Sequence, residues 1–159
     1  MDHLFLQMIT QDLYRIWKRS RRPLVNADLD TAYGELLVSS AARDKLQHNY
    51  SRIAQYYDEP KRSAAYEILS KLSVCHYGIE NTGLSQTFDH VIFDHDPALP
   101  AHERKRRFNQ LLRDLENDFY IAELPDGRFD FASGLLKDWW TSGLRERISK
   151  FCERVISGY

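Results

Sequence analysis

Histidines and carboxylates crowd into one short stretch, HVIFDHDPALPAH, which carries His90, Asp94, His95, Asp96 and His102. These side-chain types hold divalent metals when three or four of them converge. Their spacing matches none of the tight zinc signatures, such as two histidines four apart with a glutamate between. A loop of this composition serves equally as a turn whose side chains cap neighbouring helices, so no metal or other cofactor is assigned. Cys75 stands beside His76, but neighbours on a helix point about 100° apart, which does not make a nucleophile–base dyad. Cys152 has Arg154 near it and no base, so both cysteines read as small core or surface residues. No GxxxxGK[ST] loop and no GxGxxG occurs anywhere in the 159 residues, so the familiar ways of cradling a nucleotide are missing. The expectation is a binding protein with no catalytic residues.

A second group of residues could read nucleic acid. Phe108, Leu111, Leu112 and Leu115 recur at i, i+3, i+4 and i+7, the apolar face of a helix. At 100° per residue, Arg106, Asn109, Gln110, Arg113 and Asn117 then point outward or to the flank. Arginine, asparagine and glutamine are the side chains that pair with guanine and adenine edges in the major groove. Arg104, Lys105, Arg106, Arg107 and Arg113 outweigh Glu103 and Asp114, a local charge of +3. On this reading Arg106, Asn109, Gln110 and Arg113 face the groove of double-stranded DNA. Arg104, Lys105, Arg107 and Arg128 would contact phosphates, each with a salt-dependent contribution. The opposing features are Asp114, Glu116 and Asp118 along the end of the helix and Asp126 beside Arg128. A solvated mixed-charge face, or a contact with another protein, stands beside the DNA reading.

The elements around this helix follow from pattern. Strand-prone residues from Phe119 to Leu124 break at Pro125-Asp126-Gly127, and Arg128 to Ala132 return with Phe129 and Phe131 on one side. Asp-Gly between alternating runs signals a tight hairpin. A helix followed at once by a two-stranded wing is half of a winged helix-turn-helix. Upstream, Asp58-Glu59-Pro60 opens a helix with the stripe Ala65, Ile68, Leu69 and Leu72, ending at Cys75. A turn around Gly78 and Gly83 leads to a short helix near Ser85 to Phe93, then a loop from Asp94 to Leu99. Pro100 enters the first turn of the helix containing Phe108. The final segment, Ser133 to Ser157, is expected to be helical with a break near Ser142-Gly143. Of Trp139 and Trp140, one is expected to close the wing onto the core.

Nearer the start, a helix from about Asp2 to about Arg19 is expected to bury Phe5, Leu6, Ile9, Leu13, Ile16 and Trp17. Arg15, Lys18, Arg19, Arg21 and Arg22 sit at its negative end before Pro23. Asn26 or Asp28 caps a second helix carrying Leu29, Ala32, Tyr33, Leu36 and Leu37. A third covers Ala41 to Tyr57, its tyrosines Tyr50, Tyr56 and Tyr57 plugging interhelical grooves. The expected fold is mainly α: a helical portion over 1–57, a winged helix with one β-hairpin over 58–140, and a C-terminal helix over 141–159.

Hydrophobic content of 43% and aromatic content of 13% support a packed core, and the net charge of −1 gives no global pull toward DNA or anionic membranes. No apolar run approaches the roughly 20 residues that span a bilayer, and the start lacks a signal peptide's basic and apolar regions. A cytoplasmic protein with no membrane partner is expected.

The stretch LLRDLENDFYIAELPDGRFDFASGLLKDWW resembles the C-terminal winged-helix segment of prokaryotic AAA-type P-loop ATPases, the group related to archaeal, origin-recognition and signalling NTPases. Leu112, Leu115, Asn117, Asp118, Phe119, Tyr120 and Ile121 stand for that family's helix end and first strand. Phe131, Ser133, Leu135, Leu136, Lys137, Asp138, Trp139 and Trp140 stand for its "F.S.LLRDWW" pattern. Asp2-His3-Leu4-Phe5-Leu6-Gln7 is similar to the family's "HPYFLQ" lid helix, with Leu4 in place of proline. The resemblance implies a lid and winged helix that begin where an ATPase core would have ended. None of the core's phosphate-binding or magnesium-binding residues has a counterpart here. What carries over is a docking surface, used by relatives on DNA, on proteins or on their own ATPase core, or by an identical chain.

Overall fold

A computed structural model describes residues 2–143, with side chains from residue 6 onward. The chain is mainly helical: α1 (Asp2–Ser20), α2 (Asn26–Val38), α3 (Ser40–Tyr56), α4 (Lys61–Val74), β1 (Ile79–Glu80), α5 (Asn81–His95), α6 (Ala101–Asn117), β2 (Ile121–Glu123) and β3 (Arg128–Phe131). A further helix, α7, covers 134–143. The expected break near Ser142-Gly143 and the helix beyond it, with Cys152, reach into residues outside those described. Among the described residues, no helix is long and apolar enough to cross a membrane. The residues form two compact units, Met1–Tyr50 and Ser51–Tyr159.

In the first unit α1 packs against α2. Asp28 secures the start of α2: its Oδ2 accepts the Val25 N–H at 2.9 Å, while both carboxylate oxygens accept from Arg22 at 2.8 Å. Asp28, not Asn26, is therefore the capping residue, reaching back from the first turn. Ala32 and Leu36 are buried. The face expected to be buried on α1 is not: Leu6 is 62% exposed and Trp17 42%, and Ile9, Leu13 and Ile16 are only partly covered. Leu29 of α2 is also exposed. A helical period shows which face is apolar, but α2 is too narrow to cover all of this one.

The second unit builds a fuller core. Ile68, Leu69 and Leu72 of α4, Leu84, Phe88 and Ile92 of α5, and Phe108, Leu111 and Leu115 of α6 are all nearly inaccessible. Phe88 and Phe108 meet with ring centroids 5.6 Å apart, within the range of favourable aromatic pairs. The sheet is antiparallel in the order β1-β3-β2. Sequence pattern indicated only the hairpin; β1 is a third strand, pairing Ile79 with Phe129 and Glu80 with Arg128. Gly78 allows that approach, because its φ is +72° and a Cβ there would lie 2.7 Å from the Phe129 carbonyl oxygen. The hairpin turns through Pro125-Asp126-Gly127, with Leu124 N–H donating to the Arg128 carbonyl at 2.7 Å and Gly127 at φ +81°. Phe129 and Phe131 are buried, as their alternation required.

Three bonds join α7 to this body. Lys137 Nζ donates to both Asp130 oxygens at 2.7 and 2.8 Å and to the Cys75 carbonyl at 2.5 Å. Trp140, 1% exposed, packs 5.9 Å from the Phe131 ring. It is the tryptophan that closes the hairpin onto the core, while Trp139 is only partly covered.

Candidate functional site

Helix α6 is the most polarised element of the second unit. Its apolar side supplies Phe108, Leu111, Leu112 and Leu115 to the core. Lys105, Arg106, Arg107, Asn109, Gln110, Arg113 and Asn117 are exposed, and Arg104 is partly covered. The 3.6-residue period separates the two sets.

The basic residues are not equally available. Glu103 accepts two bonds from Arg106, both at 2.7 Å, and one from Arg107 at 3.0 Å. These arginines hold the Glu103 carboxyl well below the usual range, at about 2. Arg106 nevertheless remains 74% exposed, so the pairing orients the guanidinium without hiding it. Arg104 donates to the Leu99 carbonyl at 2.7 Å and lies 3.5 Å from Asp89, strapping α6 to the preceding loop and to α5. Gln110 donates to Asp114 at 2.8 Å, and Arg113 reaches the Gln110 oxygen at 3.4 Å. Lys105 and Asn109 make no side-chain bond among the described residues. Arg128 stands on the wing, gripped by Asp126 at 2.8 and 2.5 Å, which lowers the Asp126 pKa.

The far end of α6 is acidic and aromatic. Asp118 accepts the Tyr57 hydroxyl at 3.0 Å and lies 3.5 Å from Arg52. Burial and this bond push the Tyr57 pKa far up. Arg52 also lies over the Tyr56 ring, 5.9 Å from its centroid, a cation–π contact. The helix ends with Tyr120 N–H donating to the Leu115 carbonyl at 2.9 Å and Phe119 N–H to Glu116 at 3.0 Å. That double bond pattern requires a left-handed residue between, a position usually held by glycine. Here it is Phe119, at φ +61° and 69% exposed. Phe119 and Tyr120 therefore belong to the helix end, which is why β2 begins only at Ile121.

Between the start of α4, α5 and the first half of α6 lies a cavity of about 240 Å3. Phe88 and Ile92 form its floor, and Asp58, Glu59, Lys61, Arg106, Arg107 and Gln110 line its walls. Nothing in the sequence pattern revealed this cavity or the role of Phe119. The Glu103 clamp was legible in principle, since Glu103 precedes its arginines by three and four residues.

His90, Asp94, His95, Asp96 and His102 are all exposed, and among the described residues no three His, Cys, Asp or Glu side chains come together as a metal site. Cys75 caps the end of α4, and its carbonyl is taken by Lys137.

The site thus defined is an exposed helix face on a helical body with a small three-stranded sheet. Comparison with known proteins gave no match to a family model, to a curated protein or to a solved structure.

Proposed function

We propose that the second unit is a winged helix-turn-helix that contacts double-stranded DNA, and that this chain binds rather than catalyses. The order α4-β1-α5-α6-β2-β3 supports a winged-helix reading, with α6 as the reading helix and the Pro125–Gly127 turn as the wing tip. The observation that carries the proposal is the outward face of α6. Lys105, Arg106, Asn109, Gln110 and Arg113 are exposed together on a helix whose opposite side is locked into the core. Arg106, held in the plane of the Glu103 carboxylate, presents a guanidinium already oriented. The resemblance to AAA-type ATPase C-terminal regions supports the same reading and adds a parent ATPase, in which the first unit would act as lid.

The test is fluorescence anisotropy of a labelled duplex against this chain at several salt concentrations. Binding is expected to weaken steeply with salt. Arg106→Ala with Arg113→Ala should cost about 1–3 kcal/mol per lost base contact and make the salt dependence shallower. Unchanged affinity and slope in that double variant would dismiss α6 as the reading helix.

A specific observation favours a second reading. Leu6, Tyr14, Trp17, Leu29 and Val38 of the first unit are exposed, more than a lone helical pair usually leaves in water. In this reading the helices dock on an ATPase core or on another chain. Binding of a separately expressed core, abolished by Leu6→Glu with Trp17→Glu, would establish it; binding unaffected by those changes would place the contact elsewhere.

A further inference from the structure

Two features of the second unit are complementary to each other and lie at opposite ends of α6. One is a protruding aromatic. Phe119 is held left-handed, a conformation that costs an L side chain about 1–2 kcal/mol, yet its ring gains little burial at 69% exposure. Beside it in sequence are Glu116, which makes no ion pair among the described residues, and Asp118. Tyr56 is exposed at 65% and, through Arg52, shares the Asp118 neighbourhood.

The other feature is the cavity at the start of α6, floored by Phe88 and Ile92 and walled on one side by Lys61, Arg106 and Arg107. The opposite wall holds Asp58 and Glu59, of which Glu59 is already paired with Arg62 at 2.7 Å. A cavity of about 150 Å3 lined by apolar groups is enough to take benzene, so about 240 Å3 has room for one phenyl ring.

The charges of α6 are segregated in the same sense. Arg104, Lys105, Arg106 and Arg107 occupy its first half, and Asp114, Glu116 and Asp118 its last turns. Two such helices side by side in antiparallel register bring basic half against acidic half at both ends. A strained, exposed aromatic beside acids and an apolar hole beside bases are then brought together twice by one two-fold axis. Arg107 and Phe119 are separated by about 18 Å along the helix, from a rise of 1.5 Å per residue. The aromatic of one chain therefore falls near the cavity of the other in both directions.

We infer that the second unit self-associates through an antiparallel α6 pair, with Phe119 of each chain seated in the Phe88–Ile92 cavity of the other. This does not depend on DNA binding. It occupies the same face, so a chain paired in this way has Arg106 and Arg113 covered.

Sedimentation equilibrium of the full chain without DNA, over a range of protein and salt concentrations, tests it. The wild type is expected to self-associate and to dissociate as salt rises. Phe119→Gly relieves the left-handed strain, so its melting temperature in dilute solution should rise while self-association weakens by more than about tenfold. Arg106→Glu and Glu116→Arg should each weaken self-association. An equimolar mixture of those two variants should form a heterodimer, because in antiparallel register both exchanged contacts regain opposite charges. A strictly monomeric wild type overturns the inference. So does self-association that Phe119→Gly leaves unchanged, or charge variants that fail to complement each other.

Discussion

The two units of this chain use similar helices to different ends. In the second, apolar stripes on α4, α5 and α6 converge on Phe88, Phe108, Phe131 and Trp140 and are closed over by a sheet and by α7. In the first, α1 meets α2, and among its described side chains none is fully buried. Trp17 and Trp140 make the contrast concrete: one is 42% exposed, the other 1%. An amphipathic helix becomes core only when enough elements surround it, and a pair of helices offers only one line of contact. The stability of the chain is therefore concentrated in the second unit, and the first keeps apolar area in contact with solvent.

The sharpest way to break this comparison is to exchange the weights of the two tryptophans. Trp140→Ala is expected to cost about 3–5 kcal/mol in urea unfolding monitored by circular dichroism, whereas Trp17→Ala should stay within about 0.5 kcal/mol. Equal losses at the two positions would mean that Trp17 is covered in solution.

Next in size is Lys137→Met. It keeps most of the side chain's apolar length but removes the ammonium that holds Asp130 and the Cys75 carbonyl, both partners being 17% exposed in the ion pair. The loss should be about 1–3 kcal/mol, since it leaves a largely covered carboxylate unpaired. A change below about 0.5 kcal/mol would show that α7 is held by Trp140 alone.

The smallest effect is electrostatic and distinguishes the surface of α6 from its core. Glu103 is held at about 2 in the folded chain against its model value of 4.5. Its folded pKa is lower than its unfolded one, so the stabilisation it brings is complete above about 4.5. That stabilisation is lost as pH falls toward about 2. Glu103→Gln should flatten the acid limb of the stability profile in that window and leave the neutral region nearly unchanged. An identical acid limb in the variant would mean that the Arg106 and Arg107 contacts are not maintained in solution.

The features legible in the sequence were those set by local periodicity. The buried side of α6 followed from four residues at helical spacing, and the wing from Asp126-Gly127 between alternating phenylalanines. The features that were missed depend on partners distant in the chain. Strand β1 is two residues long, and it exists because Gly78 lets the backbone approach Phe129. No local pattern reports such a pairing. The exposure of Leu6 and Trp17 could not be read because period gives the direction of a face and not the presence of a neighbour. Phe119 ran against expectation outright, since a bulky aromatic next to a β-prone run reads as a strand. Instead the helix-end hydrogen bonds claim its backbone. At the candidate site, the outward set on α6 was visible from the helical wheel. Which arginines are tethered and which are free needed the coordinates of Glu103, Asp89 and Leu99.

Lys137 also has a mechanical consequence. Its ammonium ties the end of α4 to β3 at the same point that anchors α7. A pull applied along α7 from residue 143 would therefore not peel that helix away as a loose tail. The force would pass through one cation into the central strand of the sheet and from there to the wing tip at Asp126. The helix works as a handle on the hairpin, and tension or torsion on it would tilt the wing relative to α6 before anything unfolds.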